Sequence, residues 1–268
     1  MAQEDKWKNS PVRKLFYLTV LGWIILAIIF GIFDLQISIA VVDQNNPFGL
    51  FGADYGEGPG YGIIAVALVV LIGSAFSDIK KQKIGAFILG AFSLIVLFLG
   101  ILLDSEDLIL YGGFISISIF IFTSLTYEKD WRNYKNLALI ILLLAVINPL
   151  LFVNITKPLC GRVRFRDLTV PGYFEYTPWF LPPGPDLHNL SFPSGHTAMG
   201  WMFLPLLIPL RTKNRSFKIT GTFLIMGWGL FVGVSRIIIG AHYASDVLFS
   251  TGVAFIVVIL LYKKFYLQ

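Results

Sequence analysis

Between two strongly apolar runs the chain carries Ser235-Arg236, then Gly240, His242 and Asp246. Charge is expensive at membrane depth, and ionisable groups placed there usually mark a site or a pathway. His242 and Asp246 are four apart, so they share a face if the second apolar run is already helical at His242. Asp246 could then hold one imidazole nitrogen as N–H and leave the other free as base or nucleophile. Arg236 is a permanent cation able to hold an anionic substrate nearby. The same residues could equally form a buried salt bridge that locks two helices.

Two further polar clusters widen the chemistry. Lys157, Arg162, Arg164 and Arg166 stand in one short stretch without an interleaved acid, and they repel one another unless an anion sits among them. A basic anchor on lipid headgroups would explain them as well. The third cluster is Ser191-Phe192-Pro193-Ser194-Gly195-His196-Thr197. Here Pro193 suits a first helical turn, Gly195 admits close backbone approach, and the free N–H groups of a helix start form a phosphate seat. Taken alone, His196 would be a cap or interfacial residue. Together the clusters supply a carboxylate-oriented base, a second histidine, fixed cations and a helix start. Those are the parts of metal-free phosphoryl transfer, which works by positioning and charge stabilisation.

The elements that must position these residues are apolar helices. The chain is 56% hydrophobic and 14% charged, with a mean hydropathy of +0.75, a composition of polytopic membrane proteins rather than soluble globular ones. Runs at 15–33, 61–77, 84–103, 108–126, 137–155, 193–210, 219–239 and 242–262 predict about eight spans. The first run is long and lacks a small-residue cleavage site, so it reads as a span and not as a signal peptide. The segment Gly49 to Gly62, rich in Gly, Tyr and Phe, reads as loop. Runs three and four, joined by four residues, form the tightest hairpin. Gly229 and Gly233 form a GxxxG suited to close helix packing, with Gly227 just outside it. Pro205 and Pro209 should kink or end run six.

Of the 21 lysines and arginines, all but Lys157, Arg162, Arg164, Arg166 and Arg236 fall in segments on one side of this topology. That bias puts both termini in the cytoplasm and the polar clusters outside it. It also explains the net charge of +5 without nucleic acid as a partner. The single cysteine, Cys160, excludes a disulfide within the chain and a cysteine-based metal cluster, and no metal-binding motif is present.

The three clusters resemble the signature of the type 2 phosphatidic acid phosphatase superfamily, which includes lipid phosphate phosphatases, glucose-6-phosphatase and vanadium haloperoxidases. Lys157, six residues and Arg164 come first; then Pro193-Ser194-Gly195-His196; then Ser235-Arg236, five residues, His242, three residues and Asp246. Every spacing matches. Phe165 stands where the family has proline, which alters backbone restriction and not charge. The resemblance covers roughly 157–262; the family core usually has six spans, so two of the first four could be additions.

The resemblance implies an all-α transmembrane bundle, with N-terminal helices over 1–136 and a catalytic core over 137–268. It implies a metal-independent phosphatase without cofactor, acting on a lipid phosphate drawn from the membrane lipids at the extracytoplasmic face. Phosphatidate, phosphatidylglycerophosphate, polyprenyl diphosphate and lipid A phosphate are all open as substrates. His242 would attack phosphorus to give a phosphohistidine, Asp246 would orient its ring, and His196 would protonate the leaving alcohol and then activate water. Lys157, Arg164, Arg236, Ser194 and the Gly195 amide would hold the phosphoryl oxygens. Neutral His242 beside protonated His196 gives a bell-shaped pH–rate profile. Arg162 and Arg166 lie outside the motif spacing and read as supporting or headgroup contacts, or as exposed interfacial residues. His188 matches no motif position. The aromatic, proline-rich segment 165–190 reads as a rim that admits a headgroup, or as a passive cap. Two other functions fit the clusters: a lipid phosphotransferase, and a transporter or lipid binder without turnover. The histidines and Asp246 speak against the last, since a binder needs only the cations.

Overall fold

The computed structural model describes residues 7, 8 and 10–267; Lys6, of the basic N-terminal segment, lies outside them. The described residues form helices joined by turns and loops, the longest over 168–194, with no strand among them. Helix α1 spans Pro11–Val41, opened by Ser10, whose hydroxyl accepts from the Val12 amide, and by proline at the first helical position. Helix α2 spans Pro47–Tyr55 and starts the same way, with Asn46 as cap and Pro47 next. Then come α3 (Gly58–Gly73), the single turn α4 (Ile79–Gln82), α5 (Ile84–Leu102) and α6 (Glu106–Thr126). Helix α7, Lys135–Ala145, runs through a widened stretch at Val146–Val153 into α8, Asn154–Cys160. Pro149 sits in that stretch and cannot donate to a regular ladder, which accounts for the widening. Gly161, at φ +58°, ends α8 in the left-handed conformation, where a side chain would collide with the Gly184 carbonyl.

Four more helices follow, α9 (Gly195–Gly200), α10 (Leu207–Leu210), α11 (Arg215–Ile238) and α12 (Ala244–Tyr262); the second and third motifs lie on or just ahead of α9, α11 and α12, and Lys157 of the first lies on α8. Between α9 and α10 the chain tightens to a 3₁₀ helix over Trp201–Leu206, around Pro205.

Among the described residues, seven helical stretches are long and apolar enough to cross a membrane: Pro11–Val41, Pro47–Gly73, Ile79–Leu102, Glu106–Thr126, Trp131–Asp167, Arg215–Ile238 and Ala244–Leu267. The chain is an integral membrane protein. The expected sixth run is shorter than a span, Gly195–Leu210, because Pro193 and Ser194 stand ahead of the helix instead of inside it.

The expected loop at 49–62 is helical instead. Its glycines are there for close packing: a Cβ on Gly49 would stand 2.5 Å from Ile239 Cγ2, one on Gly52 would collide with Ser235, and one on Gly60 would stand 2.7 Å from the Met199 carbonyl. Composition alone reads such a stretch as loop; between helices in lipid it is an interface. Gly229 and Gly233 serve the same purpose against Trp201 and Val247, whereas Gly227 faces open space.

Helices α5 and α6 pair as a hairpin and pack on α3; α3 also packs on α7, α1 on α12, and α2 on α11. The centre is filled by Ala67, Val69, Leu144, Trp201, Met202 and Ala254. One end of this bundle gathers the C-terminal ends of α1, α8 and α11 and the N-terminal ends of α3, α9 and α12. The polar clusters lie there.

Candidate active site

The turn between α11 and α12 is built on one carbonyl. Arg236 O accepts from the Ala241 amide at 3.1 Å and the His242 amide at 3.2 Å. Gly240 allows that wrap: its φ is +67°, and a Cβ would meet Val42 at 3.0 Å and Arg166 at 3.2 Å. Tyr243 caps α12, and Asp246, at the third helical position, accepts from the Tyr243 amide at 3.0 Å. His242 therefore stands outside the helix. The pair with Asp246 is not one face of a helix, as the four-residue spacing suggests, but a cap whose carboxylate reaches back.

His242 is 2% exposed, with Nδ1 3.5 Å from Asp246 Oδ2. Burial pushes its imidazole well below the usual range, against the pull of Asp246; Lys157 and Arg236 add to the lowering. The ring is neutral near pH 7, and Nδ1 faces the carboxylate, leaving Nε2 for chemistry. Asp246 is itself held on both oxygens: Arg162 Nη1 donates to Oδ1 at 2.6 Å, and Ser191 Oγ donates to Oδ2 at 2.6 Å.

Arg162 is the keystone of this support, and spacing gave no signal for it. It is 1% exposed, donates to Asp246, to Ser245 Oγ at 2.8 Å and to the Thr177 carbonyl at 2.8 Å, and pairs at 3.0 Å with Asp34 of α1. Its guanidinium lies 3.9 Å from the Tyr243 ring centre. Asp34 also accepts from the Ser245 amide at 3.0 Å and from its hydroxyl. Arg162 is thus a buried supporting residue, not an interfacial one. Arg166 is exposed, its backbone N–H bonded to Gly240 O at 3.0 Å.

Ser194 caps α9. Its Oγ accepts from the Thr197 amide and hydroxyl, at 3.3 and 2.8 Å, so its own hydrogen remains free to donate. Its amide donates to Asp246 O, tying α9 to α12. A Cβ on Gly195 would stand 3.7 Å from Lys157 Nζ. Lys157 and Arg236 lie within electrostatic reach of both His242 and Glu57. Among the described residues, Lys157, Arg164 and Arg236 form no ion pair, and the buried Nε atoms of Arg164 and Arg236 have no partner. Buried cations without a charged partner are costly.

His196 reaches the same end through a carboxylate the motifs do not contain. Its Nδ1 lies 2.7 Å from Glu57 Oε1, and its Nε2 3.2 Å from the Ala53 carbonyl. The eight residues expected from the motifs thus share one end of the bundle; exposed His188 lies apart, its amide bonded to Asp186. Phe165 opens a short 3₁₀ turn and stacks on Tyr173, 5.6 Å between centres. Arg164 before it is extended (ψ 149°), the conformation a following proline would require. The backbone therefore keeps the shape that the family proline imposes.

Residues 138–268 match the model of the PAP2 superfamily. These residues belong to that superfamily. Phosphatidylglycerophosphatase B of Haemophilus influenzae is 40% identical over 72 residues, which make 25% of this chain and 29% of that protein. The chain thus spans less than a third of that relative. No solved structure matches the chain. Asp34 and Glu57 lie outside the PAP2 region, so N-terminal helices reach its site.

Proposed function

We propose that the protein is a metal-independent lipid phosphatase working through a phosphohistidine at His242. One observation carries this reading: Lys157 and Arg236, without an ion pair among the described residues, lie within electrostatic reach of a buried neutral imidazole that faces a carboxylate, and Arg164 lies within reach of both cations. The cations, the Ser194 hydroxyl and the Gly195 amide bind the phosphoryl oxygens and stabilise the charge that develops on them. His242 Nε2 attacks phosphorus, and the phosphorus–oxygen bond to the alcohol breaks as His196 gives its proton to the leaving oxygen. Water then attacks the phosphohistidine and returns a proton to His196; the phosphorus–nitrogen bond breaks and phosphate leaves.

The apolar helices favour a substrate held in lipid, with only its phosphate reaching the polar end. The named relative supports phosphatidylglycerophosphate as one substrate, with phosphatidate and polyprenyl diphosphates in the same class. On the segment between the clusters, Phe174 is 84% exposed and Leu187 is exposed as well, in keeping with a rim at headgroup level. The positive-inside bias favours cytoplasmic termini and an extracytoplasmic site.

The test is inorganic phosphate release from a panel of these lipids by detergent-purified protein with EDTA present. Turnover by wild type, lost by at least ~10³-fold in His242→Ala, is expected. Binding without turnover would make the protein a lipid binder, and equal activity in the variant would remove His242 from the chemistry.

A further inference from the structure

The histidine that meets the leaving group has a partner of its own. Glu57 stands between α2 and α3, its carbonyl accepting from the Gly60 amide at 2.9 Å and the Tyr61 amide at 3.3 Å. Gly58 beside it packs against the Phe114 ring, so the backbone is fixed from both sides. The carboxylate points at the site: Oε1 meets His196 Nδ1 at 2.7 Å, and Oε2 accepts from Tyr61 O–H at 3.4 Å. Tyr61 is held edge-on by Tyr111, 4.8 Å between ring centres. On the other side of the imidazole the Ala53 carbonyl lies 3.2 Å from Nε2.

A carbonyl and a carboxylate both accept, so both ring nitrogens are satisfied when each carries hydrogen. The two contacts differ in kind. The Glu57 bond is short and charge-assisted, while the Ala53 bond is longer and neutral, the one an arriving oxygen can replace. Building on the phosphatase reading above, we propose that Glu57 is a positioning residue for His196. It holds Nδ1–H throughout the cycle, while Nε2–H rests on the Ala53 carbonyl until the leaving oxygen takes that place. The Nε2 proton passes to the leaving oxygen, and the ring stays neutral with Nδ1–H still on Glu57. The water that opens the phosphohistidine gives Nε2 its proton back. Nothing is consumed beyond ester and water.

A role in proton delivery shows in the leaving group. An alkyl phosphate needs a proton on departure and a nitrophenyl phosphate hardly does. The experiment compares kcat/KM of Glu57→Gln and wild type on an alkyl lipid phosphate and on p-nitrophenyl phosphate, with inhibition by inorganic phosphate as the check on the anion site. Expected is a loss of ~10²-fold on the alkyl ester and a several-fold smaller loss on the nitrophenyl ester. The fall should lie in kcat, and phosphate inhibition should not weaken. Equal losses on the two esters, or no loss, would overturn the assignment. If Glu57→Gln does not purify folded, Glu57→Asp, which withdraws the charge by one methylene, must show the same preference in milder form, and equal losses there overturn it too. Wild type inert on both esters would instead overturn the phosphatase reading, and His242→Ala active on both would overturn the phosphohistidine step, and the role of Glu57 falls with either.

Discussion

At the scale of single residues, the site rests on two histidines treated differently. His242 is buried and backed by Asp246 at 3.5 Å, and His196 is partly exposed and held by Glu57 at 2.7 Å. In the proposed mechanism the first is the nucleophile and the second the acid. Burial lowers the His242 imidazole to about 3, below the ~6.5 of an unfolded chain. The unfolded chain therefore binds the extra proton first as pH falls. The stabilisation this residue gives is complete above ~6.5 and is lost as pH falls toward the folded value. Thermal unfolding in detergent at pH 7 and pH 5 should show wild type losing stability relative to His242→Asn, and the acid limb of kcat/KM should lie below 6.5. Parallel pH dependence in the two proteins would contradict the burial. The eight motif residues that gather at this end stood out in the sequence through the family resemblance, their spacing by itself leaving a salt bridge, a lipid anchor or a cap open. Glu57 did not, since a lone glutamate among glycines, 139 positions before His196, gives no pattern a spacing rule detects.

At the scale of elements, α1 is fastened to the catalytic turn through Asp34, Arg162 and Asp246, all three buried. Removing the central cation leaves two buried carboxylates uncompensated. Arg162→Leu should therefore cost about 3–5 kcal/mol. Arg162→Lys should recover little of it, because one ammonium cannot reproduce a planar fork that bridges two carboxylates. Thermal unfolding of the purified variants reads both; a loss below ~1 kcal/mol in Arg162→Leu would show that the network is not structural. Apolar runs made most helices legible, and the α5–α6 hairpin with them. They misread 49–62, where glycine serves contact with α11 and not a turn. They also placed His242 inside α12, because a cap at Tyr243 and a helical start one residue earlier have the same four-residue spacing.

At the scale of the whole molecule, all these groups share one end of a bundle whose other end carries the Lys80-Lys81 turn and the Arg211–Lys218 segment. The positive-inside bias then requires the 165–190 segment and the Lys80 turn to face opposite compartments. In a Cys160→Ser background, L187C should react with a membrane-impermeant maleimide on intact cells, and K81C only after permeabilisation. The reverse pattern would invert the topology and put the site in the cytoplasm.

The central claim is a covalent phosphoenzyme on His242, and trapping tests it most directly. A lipid phosphate carrying ³²P on the transferred group would be mixed with wild type, His242→Ala and His196→Ala, then quenched in base, where phosphohistidine survives. The account predicts acid-labile label on wild type, label that both forms and clears more slowly on His196→Ala because that residue serves both steps, and none on His242→Ala. Label that persists on His242→Ala, or turnover without any trapped label in the other two, would contradict it.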